Sequence, residues 1–113
     1  MHSVLKKDDT TGLPILVLGG KVKGEGNEEL NKKLEEMDKL DHQTVVIDIS
    51  NAEYIDSHGL GVIIYYHKSL QHEKRKLVLL NSNTDPESYM NRLIEITNLD
   101  KVLTVTETLD SKQ

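Results

Sequence analysis

Apolar residues follow two rhythms along this chain: short unbroken runs, and stripes spaced by three and four positions. The runs are Ile15-Leu16-Val17-Leu18, between Pro14 and Gly19-Gly20; Val45-Val46-Ile47-Asp48-Ile49; and Leu77-Val78-Leu79-Leu80, closed by Asn81-Ser82-Asn83. Their length, β-branched content and turn-forming flanks predict buried strands, with Val45–Ile49 the central one. Between Glu28 and Leu40 the rhythm changes. Leu30, Leu34 and Met37 recur at spacings of four and three with charges between them, predicting an amphipathic helix capped by Asn27.

Leu60 to Leu70 fits both patterns. Val62-Ile63-Ile64-Tyr65-Tyr66 has strand propensity, yet Leu60, Ile63, Ile64 and His67 share one helical face. Glycines at its start and the basic stretch Lys68–Lys76 at its end suit a helix better. Thr84-Asp85-Pro86-Glu87 has the form of a capping box opening a helix through Met90, Leu93 and Ile94. Asn98 ends that helix, because asparagine tolerates the left-handed conformation. Val102–Thr106 reads as a last strand, Val4-Leu5 as a short edge strand, Asp8–Gly12 as a turn, and the final seven residues as a polar, frayed tail. Strands alternating with helices predict an α/β fold whose sheet is mainly parallel and covered by helices.

Composition narrows the function classes. A length of 113 residues predicts one domain, 1–113, with no internal repeat or linker. The absence of cysteine removes disulfides, thiolate metal sites and cysteine nucleophiles. A net charge of −5, with no Trp or Phe, argues against nucleic-acid binding. No apolar run approaches the roughly 20 residues that span a bilayer, and the N-terminus lacks a secretory apolar stretch. A cytoplasmic protein without membrane insertion is therefore expected.

The candidate chemistry lies in Tyr54–Gly61, Y-I-D-S-H-G-L-G, where a strand runs through a polar turn into a new apolar segment. Ser57 stands there behind Asp56, near the N–H groups of a helix start, a place suited to a phosphate or a developing negative charge. A nucleophile elbow requires glycine two residues before the serine, and Ile55 occupies that position. His58, adjacent to the serine, cannot reach back to it in a useful line, so no base is in place. Gly19-Gly20-Lys21-Val22-Lys23-Gly24-Glu25-Gly26 lies between a strand and a helix, but Val22 stands where a phosphate loop needs Ser or Thr. Its glycines read as those of an ordinary turn. His67 and His72 are five apart, off a common helical face, and read as solvated; no metal or other cofactor is expected. The basic residues at 68–76 complement a helix dipole. Ser57 itself is either a cap or a regulated hydroxyl. Gly59 and Gly61 favour the second, because each weakens a helix by ~1 kcal/mol relative to alanine and close approach by another protein would explain that.

The run from Val45 to Ile63, V-V-I-D-I-S-N-A-E-Y-I-D-S-H-G-L-G-V-I, resembles the signature of the STAS domain, the family of bacterial anti-sigma-factor antagonists. The resemblance extends through Gly20-Lys21-Val22 and Glu29-Leu30 on one side and Arg92–Val102 on the other, roughly from Val4 to Thr108. It implies a small mixed, mainly parallel sheet covered by about three to four helices. It also implies a partner switch and no enzymatic activity. Ser57 would be phosphorylated by an anti-sigma factor that is itself a GHKL-type serine kinase; the unphosphorylated form would bind that kinase and free its target; a PP2C-type phosphatase would reset it. A constitutive STAS scaffold, a subunit of a signalling or lipid-transport assembly, is the alternative. The implied partner surface comprises Lys23, Glu25, Asp56, Ser57, His58, Gly59, Leu60 and Gly61. Three features depart from the family pattern: Lys23 where an acid is common, Asn98 where a glycine is common, and a C-terminal helix that is short or missing after Thr108.

Overall fold

The computed structural model describes residues 1–109. The end of the polar tail, with any helix there, lies outside the described residues. The chain forms β1 (His2–Lys7), β2 (Pro14–Val22), α1 (Gly26–Asp38), β3 (Thr44–Ile55), α2 (Ser57–His72), β4 (Lys76–Leu80), α3 (Tyr89–Thr97), α4 (Leu99–Val102) and β5 (Thr104–Thr106). The five strands make one sheet in the order β1-β2-β3-β4-β5. β1 runs antiparallel to β2, and all other neighbours are parallel, so the sheet is mixed and mainly parallel, as expected.

Alternation along the strands sorts side chains onto two faces. Leu16, Leu18, Val45, Ile47, Ile49, Leu77 and Leu79 join Leu30, Leu34 and Met37 of α1 and Ile63 and Leu70 of α2 in the main core. Ile15, Val46 and Val78 point to the other face and are covered by Leu13, Val17, Leu80 and Leu109.

Several boundaries differ from the sequence reading. β3 continues past Ile49 to Ile55 because β2 bends alongside it, with register shifts between Val17 and Gly19 and between Gly20 and Lys21. Gly19 and Gly20 therefore sit inside a bulged strand rather than in a turn. A Cβ on Gly19 would come within 2.6 Å of the His2 ring, and Gly20 has φ +74°. Asn27 is not the cap of α1: the helix opens at Gly26 behind Glu25, and the Asn27 side chain is engaged elsewhere. The capping box at Thr84 does not form either. Asn81, Asn83 and Asp85 each accept an N–H two residues ahead, making successive Asx turns that delay the helix to Tyr89. Ser88 caps α3 instead, accepting from the Asn91 N–H. Val102 belongs to α4, not to the last strand, while Asn98 has the expected left-handed φ of 54°.

Candidate functional site

The site forms where the carboxyl ends of β2 and β3 lie side by side. The Asp56 N–H donates to the Val22 carbonyl at 3.0 Å, so the turn before α2 is fastened to the end of β2. Lys23 follows directly, and Gly24, with φ +56°, turns the chain into α1. The Asp56 carboxylate then ties both loops together. It accepts from the Gly59 N–H at 2.8 Å, from Asn27 Nδ2 at 3.2 and 3.3 Å, and more distantly from the Gly24 N–H at 3.4 Å. Asp56 is thus the N-cap of α2, a role the sequence leaves open to Ser57. The Gly59 N–H, aided by Asn27 and Gly24, holds its carboxyl below the ordinary aspartate range against the opposing effect of desolvation.

Ser57 is consequently the first helical residue rather than the cap. Its side chain is exposed, and among the described residues its hydroxyl has no hydrogen-bond partner. Four N–H groups at a helix start lack intrahelical acceptors. Here Asp56 gives its N–H to the Val22 carbonyl and Gly59 gives its own to Asp56 Oδ1, while Leu60, donating to the Asp56 carbonyl, makes the first bond of the helix itself. Those of Ser57 and His58 have no acceptor among the described residues. An exposed hydroxyl therefore sits beside two unused donors at the positive end of a 16-residue helix.

The two glycines of the motif differ. Gly59 is buried, and a Cβ there would lie 2.8 Å from Asn27 Oδ1, 3.1 Å from Ile55 Cγ2 and 3.3 Å from Val22 Cγ1. Its reason is internal packing, so the idea that both glycines admit a partner is corrected at this position. Gly61 is exposed, and a Cβ there would meet nothing within 4 Å. Lys23, Glu25 and His58 are exposed around Ser57, whereas half-buried Leu60 packs against the core.

Two aromatic residues complete the surroundings. The rings of Tyr54 and Tyr89 lie 4.9 Å apart at 35°, and Tyr89 donates its hydroxyl hydrogen to the Ile55 carbonyl at 3.1 Å. Burial, with the nearby Tyr54 and Asp56, pushes the Tyr89 phenol up from its usual value. Tyr54 stands within the quoted motif, but nothing local links it to Tyr89. The role of Asn27 is equally hidden, since its partner is 29 residues away.

The histidine reading needs one correction. His72 is exposed, but His67 is only 7% exposed and faces the core side of α2. Arg75, read as part of a basic stretch that complements the helix dipole, is buried and bonded to Asp38, Glu73 and the His42 carbonyl. Among the described residues no cluster of His, Cys, Asp or Glu could hold a metal, and no helix is long and apolar enough to cross a membrane.

A mixed, mainly parallel sheet with its helices along it, and a serine at the start of the helix after the central strand, define the class. Residues 5–112 match the STAS domain, and the chain belongs to that family. It is 29% identical over 101 residues to the anti-sigma-B factor antagonist of Listeria monocytogenes, covering 89% of this chain and 84% of that protein. The crystal structure of an anti-sigma factor antagonist from Mycobacterium paratuberculosis shares the fold at a TM-score of 0.73 and 22% identity, covering 96% of this chain and 86% of that one. The Bacillus cell fate determinant SpoIIAA in its phosphorylated form gives 0.65 at 16% identity, covering 93% and 91%.

Proposed function

We propose that the protein is an anti-sigma-factor-antagonist-like partner switch whose unphosphorylated form binds an anti-sigma factor of the GHKL serine-kinase type and releases that factor's target. The observation that carries this reading is the exposed, unbonded Ser57 hydroxyl at the first position of α2, beside two free N–H groups. Resemblance to antagonists, one of them solved in a phosphorylated form, supports it further. The kinase transfers the γ-phosphoryl group of ATP to Ser57 Oγ; the hydroxyl proton passes to a base of the kinase, and ADP leaves. A PP2C-type phosphatase hydrolyses the ester and restores the binder. The chain is substrate and ligand in this cycle, not catalyst, and the cycle belongs in the cytoplasm.

The switch follows from charge. Phosphorylation adds about −1.5 to −2 charges at one point. In the free protein that charge meets water and the N–H groups of Ser57 and His58. In a closed interface it is desolvated beside the Asp56 carboxylate, whose lowered pKa keeps it ionised. An uncompensated buried charge costs roughly 3–5 kcal/mol. At about 1.4 kcal/mol per tenfold, that weakens the complex by roughly two to three and a half powers of ten. The proposed contact surface comprises Lys23, Glu25, Asp56, Ser57, His58, Leu60 and Gly61, with Gly59 behind it shaping the helix start.

The test uses a GHKL-type anti-sigma kinase partner with ATP. Intact-mass analysis should show one added phosphate, absent from Ser57→Ala, and Ser57→Asp should weaken the complex. Phosphate at another residue, or none, together with unchanged binding by Ser57→Asp, refutes the reading and leaves a constitutive scaffold.

A further inference from the structure

A second region of concentrated polar chemistry lies at the opposite end of the sheet from Ser57. Ser57 follows the carboxyl end of β3, whereas Lys76 pairs with Thr44 at that strand's beginning. A cleft of about 560 Å³ opens there between the second half of α2, the start of β4 and the α4–β5 segment. His67, Arg75, Lys76 and Lys101 form part of its wall, and Asp100 is the one acid lining it among the described residues.

Two of these side chains are built into the protein yet incompletely used. His67 is 7% exposed and its Nδ1 is buried without a partner. Arg75 is 9% exposed; Nε donates to the His42 carbonyl at 2.9 Å, and Nη1 donates to Asp38 at 2.7 Å and Glu73 at 3.3 Å. Those bonds explain Arg75 as a clamp between α1 and β4. They leave Nη2 buried and unpartnered. A structural clamp has no need of a second orphaned nitrogen on a neighbouring helix, because buried polar groups in folded proteins are nearly always satisfied. At the rim, the exposed Lys76 and Lys101 have no carboxylate within salt-bridge distance among the described residues. So a chain of net charge −5 gathers three cations and a histidine around one cleft against a single lining acid. Part of the Arg75 charge is already met by Asp38 and Glu73, which leaves the two lysines as the principal free cations. Leu103 and Val105 supply an apolar wall beside them.

We infer that this cleft binds a small organic anion, its phosphate or carboxylate head held by Lys76 and Lys101 over His67 and Arg75 and its apolar part laid against Leu103 and Val105. Charge-assisted hydrogen bonds from lysine and arginine suit such a head. The site is separate from the Ser57 switch and does not depend on it.

The test is an amide and imidazole NMR titration of the full chain with inorganic phosphate and, separately, with acetate. Chloride at equal ionic strength is the control. Saturable shifts should centre on His67, Gln71 and residues 101–105, and the stronger of the two anions identifies the head group. Lys101→Glu, on an exposed position, should keep the dispersed spectrum of the folded protein and weaken binding by about tenfold or more, the loss of one charge-assisted contact converted to charge repulsion. His67→Gln should weaken it without abolishing folding; if that variant unfolds, Lys76→Glu replaces it. Shifts that match chloride, that persist unchanged in Lys101→Glu, or that appear only at the start of α2 overturn the inference.

Discussion

Alanine at each of the two glycines of α2 adds the same methyl group and should have opposite effects. At Gly61 the new Cβ meets nothing within 4 Å and φ lies in the ordinary range, so only helix propensity changes. Relieving the backbone entropy of glycine should stabilise the protein by about 0.5–1 kcal/mol. For a chain of this length that raises the melting midpoint by roughly 2–4 °C. At Gly59 the same gain is opposed by a Cβ placed 2.8 Å from Asn27 Oδ1, 3.1 Å from Ile55 and 3.3 Å from Val22. Asn27 cannot easily yield, because it is buried and its amide is bonded to Asp56. Overpacking typically costs about 1–3 kcal/mol, so Gly59→Ala should be less stable than the parent by about 1–2 kcal/mol. Urea denaturation of both variants measures the difference. Partner binding supplies the second half of the prediction: Gly61→Ala should be the more stable protein and the weaker ligand of the proposed kinase partner. If Gly61→Ala loses stability, or if the two variants behave alike, the assignment of an internal reason to one glycine and an external one to the other is wrong. A stabilised Gly61→Ala with undiminished affinity would remove Gly61 from the contact surface.

Asp56→Asn keeps a capping oxygen but removes the titration. The Asp56 carboxyl is held below its ordinary value of 3.8, so its contribution is complete above that pH and lost as the pH falls through the lowered value. Stability measured by urea titration on the acid limb should therefore fall less steeply in the variant; an unchanged limb would contradict the lowered pKa. Tyr89→Phe removes the bond to the Ile55 carbonyl while keeping a ring against Tyr54, and should cost about 1 kcal/mol, read as a lower urea midpoint. Arg75→Met deletes the bonds to Asp38, Glu73 and His42 and should cost about 2 kcal/mol, read as a lower urea midpoint. A midpoint within error of the parent would mean the clamp is slack.

Legibility in the sequence tracked how local each cause was. The three apolar runs and the stripe Leu30-Leu34-Met37 became strands and a helix where the rhythm placed them, because burial on one face is written into adjacent residues. Boundaries set by distant partners were not readable. β3 runs on through Ser50-Asn51-Ala52-Glu53, a polar stretch with no strand signal, because the bulged end of β2 supplies its neighbour. The Asn27 side chain is recruited by Asp56, and Thr84 loses to a chain of Asx turns; in both places several residues could cap, and tertiary geometry chose among them. At the site, the motif exposed Ser57 and the turn before it. It could not reveal that the aspartate, not the serine, caps the helix, nor that Tyr89 would lie against Tyr54. His67 failed for a similar reason, since its helical face was correctly assigned to the core while its residue type suggested water.

The order of strands in the sheet is the order of strands in the chain. Each strand after the first pairs with the one made immediately before it, and none leaves a gap for a later segment to fill. A chain emerging from the ribosome can therefore add one layer at a time, with β2 and β3 already joined before β4 exists. Sequential pairing keeps the loops that must close short, and short closure favours fast folding. It also orders the assembly of the candidate site: the Ser57 turn needs only the segments up to α2 and the Gly24–Asn27 loop, so its hydrogen bonds can form before the last third of the protein has been made, and Tyr89 closes over Tyr54 and Ile55 afterwards.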